Sequence, residues 1–257
     1  AGLPVLGRID LEASVGRSRY DGMSASYRRR LHKNFTVNAT YTLSRALAYD
    51  GGAAAFRNRA VNHFDYLASY SLGPVPNDTR HRFSASSVFN LPKGIQIAPI
   101  VQIESARAYS PSYGAAVDVL GEGGGRGNRV IVFTSTPNDL KATLTAFGDP
   151  GASNANRIKY RNCLRAGQCA IAGFDNLRGQ PFFQLDTRIS KNFRIKERYT
   201  ITALFQMFDL TNRANFGNNF TGDVRQASFG TPNAFITPGG VIVPHSFSGE
   251  FGVKFSF

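Results

Sequence analysis

Residues 35–44, FTVNATYTLS, put an apolar side chain at every odd position (Phe35, Val37, Ala39, Tyr41, Leu43) and a small polar one at every even position. A period of two excludes an amphipathic helix, whose apolar residues recur every three or four, and requires an extended strand with one greasy and one wet face. The same rhythm returns in Phe83, Ala85, Ser87, Phe89 and Leu91, then in Ile95, Ile97, Pro99, Val101 and Ile103. It continues in Phe183, Leu185, Thr187 and Ile189, in Tyr199, Ile201, Ala203, Phe205 and Met207, and in Phe247, Gly249, Phe251, Val253, Phe255 and Phe257. With 20–30 added, seven strands are expected, near 20–30, 35–45, 80–91, 95–105, 182–193, 199–210 and 246–257. At about 10 to 13 residues each they exceed the usual globular strand of about 5 to 6. That length suits a tilted membrane crossing.

The connections alternate as well. Tight turns are expected at LHKN (31–34), LPKG (91–94) and RIKER (194–198), and long polar segments at 47–78, 106–181 and 211–244. Short links on one side and long ones on the other predict an all-β fold, an antiparallel transmembrane β-barrel of the outer-membrane type with long extracellular loops. The odd faces then meet lipid and carry almost no charge at mid-strand; Arg29 and Lys191 lie near strand ends, where long side chains reach the interface. The even faces, with Asp186, Arg188, Glu250 and Lys254, suit a hydrated lumen in which opposite charges pair. His81, with Arg80 and Arg82, fits strand-end or lumenal polar packing. A water-soluble β-sandwich or lipocalin-like barrel shares the alternation and stands as the alternative. Pro99 conflicts with the ladder around it and predicts a bulge, or a point where the strand lines an interior feature.

Composition agrees. The chain of 257 residues has 21 Phe, 10 Tyr, 26 Gly and no Trp, which favours strands and turns. No run approaches the roughly 18 apolar residues of a membrane helix, and a mean hydropathy of −0.22 is compatible with alternating strands. The net charge of +13 is scattered. Without a zinc-finger spacing, a basic helical stripe or an RNA-binding aromatic signature, it does not predict nucleic-acid binding. AGLPVLGRID lacks the basic lead and apolar core of a signal peptide, and the absence of an initiating Met suggests a fragment or processed product.

The segment 106–181 is far longer than an ordinary loop and is the expected place of ligand contact, through Tyr109, Tyr113, Arg126, Arg129 and Arg165. Its RVIVF stretch suggests an extra strand. Cys163 and Cys169 in NCLRAGQC are expected to close a disulfide, because no His or further Cys stands near enough for a metal site. No catalytic residue, metal or cofactor is expected. Asp78, Arg80 and His81 in NDTRHRF lack a nucleophile elbow or paired acid, and GEGGGRG lacks the Lys-Ser/Thr ending of a phosphate loop. The four histidines are dispersed.

The ending HSFSGEFGVKFSF resembles the C-terminal signal that the barrel-assembly machinery reads in bacterial outer-membrane barrels, which implies that role for Phe251, Val253, Phe255 and Phe257. In order along the chain, SRYDGMSASYRRRL, NATYTLSRAL, NDTRHRFSASSVFNLPKG, FFQLDTRISKNFRI and ALFQMFDLTNRANFG resemble the C-terminal barrel of TonB-dependent receptors, particularly the Oar-like group with a carboxypeptidase-regulatory-like domain. The chain departs from that pattern with Leu43 where an aromatic is common, and contains no plug domain or TonB box. The resemblance implies the C-terminal part of a larger barrel of about 22 strands, set in outer-membrane lipid. It implies uptake of an unidentified solute, driven by a TonB complex that acts on parts absent from this chain. A complete small barrel, with Ile9 to Val15 as an eighth strand and an adhesin or structural role, is the alternative, and a soluble β-protein binding a ligand or an anionic surface is a second.

Overall fold

The computed structural model describes residues 16–31, 34–49, 67, 72–75, 78–112, 131–133, 158, 162–173, 176–195, 199–236 and 246–257. The strands run in chain order as β1 (Ser18–Leu31), β2 (Phe35–Tyr49), β3 (Leu72–Pro74), β4 (His81–Leu91), β5 (Ile95–Glu104), β6 (Ala108–Tyr109), β7 (Ile131–Phe133), β8 (Cys169–Ile171), β9 (Leu177–Arg178), β10 (Phe182–Ile195), β11 (Tyr199–Phe208) and β12 (Ser248–Ser256). The long strands form one antiparallel sheet in the order β1-β2-β4-β5-β10-β11-β12, with β3 paired to the end of β2. Among the described residues the sheet is open, with β1 and β12 as its edges.

Register converts the alternation of each strand into two faces of the sheet. Every pairing among the seven long strands joins odd residues to odd and even to even, so one row across neighbouring strands reads Phe35, Phe89, Ile97, Ile189, Phe205, Phe251. A parallel even row reads Ser26, Thr40, Ser84, Gln102, Gln184. Short polar side chains bond across the even face, as in Ser24 Oγ to Thr42 Oγ1 and Ser26 Oγ to Thr40 Oγ1, both 3.3 Å, and Thr202 Oγ1 donating to Asn192 Oδ1 at 2.7 Å.

Among the described residues no layer covers the odd face: Phe251 is 73% exposed, Val253 63% and Phe255 56%. The buried apolar side chains among the described residues lie at the long-loop end instead, most of them in the connections, such as Tyr109, Leu177, Val224, Phe229 and Ile236, with Ala48 and Phe182 at the strand ends beside them. A soluble sandwich packs its apolar face on a second sheet, and a bare apolar face of this extent needs hydrocarbon. The soluble alternatives fail on this point.

Pro99 makes no bulge. β4 and β5 hold one register on either side of it, Ser86 opposite Ile100 and Phe89 opposite Ile97, and the proline still stands opposite Thr187 of β10. The missing N–H interrupts the ladder locally without adding a residue to it. The expected charge pairing on the even face also differs. Asp186 takes Gln184 and the Asp209 amide, and Glu250 takes Gln206; neither meets Arg188 or Lys254 among the described residues. These short acids bond to the polar groups beside them.

The tight turn between β4 and β5 is a 3₁₀ turn, Pro92–Gly94, with Lys93 (φ 63°) and Gly94 (φ 75°) in the left-handed region. A Cβ on Gly94 would lie 3.0 Å from the Asn192 carbonyl oxygen, so glycine suits both the angle and the approach of β10. The long connections hold more order than their composition suggests. β2 runs on to Tyr49, β6 pairs with β9, and β7 pairs with β8. The last of these pairings makes part of the RVIVF stretch a strand.

Candidate functional site at the long-loop end

The segment after β11 folds back as a packed cap over the ends of β5 and β10. Asn215, 3% exposed, does the work of a strand partner: its Oδ1 accepts the Phe183 N–H at 3.1 Å and its Nδ2 donates to the Phe183 carbonyl at 3.0 Å. The Gln180 N–H donates to the Gly217 carbonyl, and Asn218 Nδ2 reaches the Ala108 carbonyl at 3.2 Å. Gly179 approaches the Gly217 carbonyl so closely that no Cβ fits there. Ser112 bridges Asp223, and the Tyr109 ring stacks on Phe220 at 5.5 Å. Burial raises the Tyr109 phenol above its ordinary pKa. Asp223 is held below the usual carboxylate range, first by the hydrogen bonds from the Arg225 side chain at 3.0 and 2.8 Å.

Below the cap, the even face carries a charged network. Arg82 of β4 and Glu104 of β5 are register partners, with Nε to Oε1 at 3.1 Å, and Glu104 Oε2 accepts Arg107 at 3.0 Å. Arg82 also donates to Thr79 Oγ1 at 3.0 Å. Asp78, 4% exposed, accepts the Ala46 N–H through Oδ1 at 2.8 Å and faces Arg178 through Oδ2 at 4.0 Å. Tyr20, Thr42, Ser44, Ala46, Asp78, Thr79 and Arg82 line a polar cavity of about 120 Å³. Such a recess can take a few waters or one small polar group.

The candidate residues fall in different places. Tyr109, 9% exposed, lies in the cap core; Arg165 is exposed within the Cys163–Cys169 loop. No hydrogen bond or ring contact joins them among the described residues. Tyr113, Arg126 and Arg129 lie outside the described residues. Cys163 and Cys169 are joined as a disulfide, with Cα atoms 5.6 Å apart. Phe251, Val253, Phe255 and Phe257 occupy odd positions along the edge strand and its end, where Phe255 stacks on Tyr199 at 5.9 Å and Phe257 is 94% exposed. His81 lies on the odd face at the rim, its Nδ1 bonded to the Tyr41 hydroxyl at 2.7 Å, whereas Arg82 enters the lumenal network.

Thr79, Glu104, Arg107 and Arg178 went unnoticed in the sequence. Glu104 was legible, because a hairpin folded about the turn at 91–94 sets 82 opposite 104. The partnership of Asp78 with Arg178 leaves no local trace.

A family model described as an outer membrane beta barrel domain matches residues 2–239. Among solved structures, the outer membrane transporter YddB from Escherichia coli is similar at a TM-score of 0.43 and 14% identity, covering 94% of this chain and 25% of that one. The chain thus spans about a quarter of that transporter's length. No curated protein matches it. With a bare apolar face, a polar opposite face and a family match over nearly its whole length, the chain belongs to the outer membrane β-barrel domain family and resides in the bacterial outer membrane.

Proposed function

We propose that this chain forms part of the wall and the extracellular cap of a TonB-dependent transporter, serving solute capture and passage rather than catalysis. The open sheet carries the reading. β1 and β12 each present an edge without a partner among the described residues, and an unpaired edge is untenable in hydrocarbon. Further strands therefore pair with both edges, and the enclosed even face, rich in Ser, Thr, Asn and Gln, lines a wet interior. The sequence resemblance to the Oar-like receptors supports a large barrel energised from the inner membrane. The apolar band meets lipid, and the barrel-assembly machinery reads β12.

The test uses the full-length protein in its own cells. Depletion of solutes from the medium is compared among the parent, a strain lacking the barrel and a strain lacking the TonB complex. Both losses are expected to abolish uptake of the same solute. Uptake that needs the barrel and persists without the TonB complex leaves a passive pore and refutes this reading.

A further inference from the structure

One wall of the polar cavity is an aromatic ring laid against a glycine. Tyr20 and Gly22 are successive residues of the even face on β1. A Cβ on Gly22 would lie 2.7 Å from the Tyr20 hydroxyl oxygen and 2.9 Å from both Cε1 and Cζ. Such nearly equal distances to three adjoining atoms put the ring's face, and not its edge, against the strand. The absent side chain at 22 makes room for it. The outer face of the ring is open, with Tyr20 67% exposed, and its hydroxyl has no hydrogen-bond partner among the described residues.

The polar wall has bonding capacity to spare. Asp78 is 4% exposed and accepts the Ala46 N–H through Oδ1, whereas its Oδ2 takes no hydrogen bond and meets Arg178 only at 4.0 Å. A buried carboxylate oxygen left in this way is open to a donor from the cavity it lines. Arg82 sets Nε against Glu104 and donates from Nη2 to Thr79, which leaves both Nη1 donors free among the described residues.

The charges limit what can enter. An anion meets Asp78 and a cation meets Arg82, whereas a neutral group that donates to one and accepts from the other avoids both penalties. A sugar hydroxyl does both. The weakly positive C–H face of a sugar ring also suits the negative face of an aromatic one. An aromatic surface beside a few convergent polar groups is the ordinary composition of a small-molecule site. A cavity of about 120 Å³ holds the hydroxyl-bearing edge of a sugar whose ring rests on Tyr20.

We propose that Tyr20, Asp78 and Arg82 form a subsite for a neutral saccharide on the even face, just below the cap. The inference rests on the reading of that face as the wet interior of a transporter, and it names the solute class. The test is calorimetric titration of the full-length protein in detergent with maltohexaose, cellohexaose, xylohexaose and, as a charged comparison, hexagalacturonate. At least one neutral oligosaccharide is expected to bind below about 10 mM. Tyr20→Ala should weaken it by about tenfold or more, and Tyr20→Phe, which keeps the ring, by less than about threefold. Gly22→Val should weaken it as Tyr20→Ala does, because the new side chain displaces the ring. Tyr27→Ala, on the odd face, should match wild type. Heat-modifiable gel mobility identifies folded variants, and Gly22→Val decides if Tyr20→Ala does not fold. No binding of any neutral probe, unchanged affinity in folded Tyr20→Ala or Gly22→Val, or tighter binding of hexagalacturonate overturns the proposal. Saccharide binding that depends on Tyr20, in a barrel whose uptake persists without the TonB complex, upholds this site and refutes the transport reading. TonB-dependent uptake through a barrel that binds no neutral probe does the reverse.

Discussion

Val101 and Gln102 are consecutive on β5 and lie at nearly one depth, yet face opposite solvents. Val101 stands between Ala85 and Leu185 on the odd face, and Gln102 between Ser84 and Gln184 on the even face. Val101 is six residues from Ile95 at the tight-turn end, about 20 Å along the strand at about 3.4 Å per residue. A tilt of about 40° turns that into about 15 Å of depth, near the middle of an apolar band about 25–30 Å tall. At that depth an arginine cannot reach either interface without distorting the bilayer. Val101→Arg is therefore expected to cost about 2–4 kcal/mol, about 30- to 900-fold in the folding equilibrium. Gln102→Arg, pointing into water, should stay within about 0.5 kcal/mol of wild type. The assay is urea titration of the full-length barrel in vesicles, with the folded fraction read by heat-modifiable mobility. Equal costs, or a larger cost at Gln102, refute the assignment of faces.

Asn215→Ala leaves both backbone groups of Phe183 without partners, so opening of the cap should become easier by about 2–4 kcal/mol, measured as faster hydrogen exchange across 209–236 with the strands unaffected. Because Arg225 holds the folded Asp223 carboxyl below its ordinary value of 3.8, the unfolded chain binds that proton more readily. The associated stability is thus present above that value and lost as the pH falls through the lower, folded one. Pepsin cleavage within 209–236 should accelerate over that acidic range in wild type, and Asp223→Asn should flatten the response. Alkylation before reduction should label neither Cys163 nor Cys169, and replacing both with serine should loosen only their loop, by about 2–3 kcal/mol in the chain-entropy model. Phe257→Ala should lower the amount of barrel in the outer membrane, measured by surface labelling, whereas Ser256→Ala should not; equal amounts rule out an assembly role for the terminal ring.

The two faces of every long strand were legible because successive Cβ atoms point to opposite sides, a property of local covalent geometry. Reading Phe35, Val37 and Tyr41 as one side needed no knowledge of any partner. Tyr109 shows where that reasoning stops. An aromatic in a long polar segment reads as available to a ligand, yet its ring is buried against Phe220, on a connection that follows two further long strands. Asp209 likewise reads as an ordinary turn residue in FDLTN. Its burial beside Asp186 appears only when β11 lies against β10.

From its amino-acid order alone, this protein had a transverse polarity, greasy on one side of each ribbon and wet on the other, and a longitudinal one, with tight turns at one end and long connections at the other. Both follow from neighbours in the chain. Folding decided the register that lines Phe35 up with Phe251, the cap that Asn215 pins to β10, and the pairing of distant charges such as Asp78 and Arg178. Those depend on which remote segments meet, and contact energies between remote segments leave no periodic mark on a one-dimensional string.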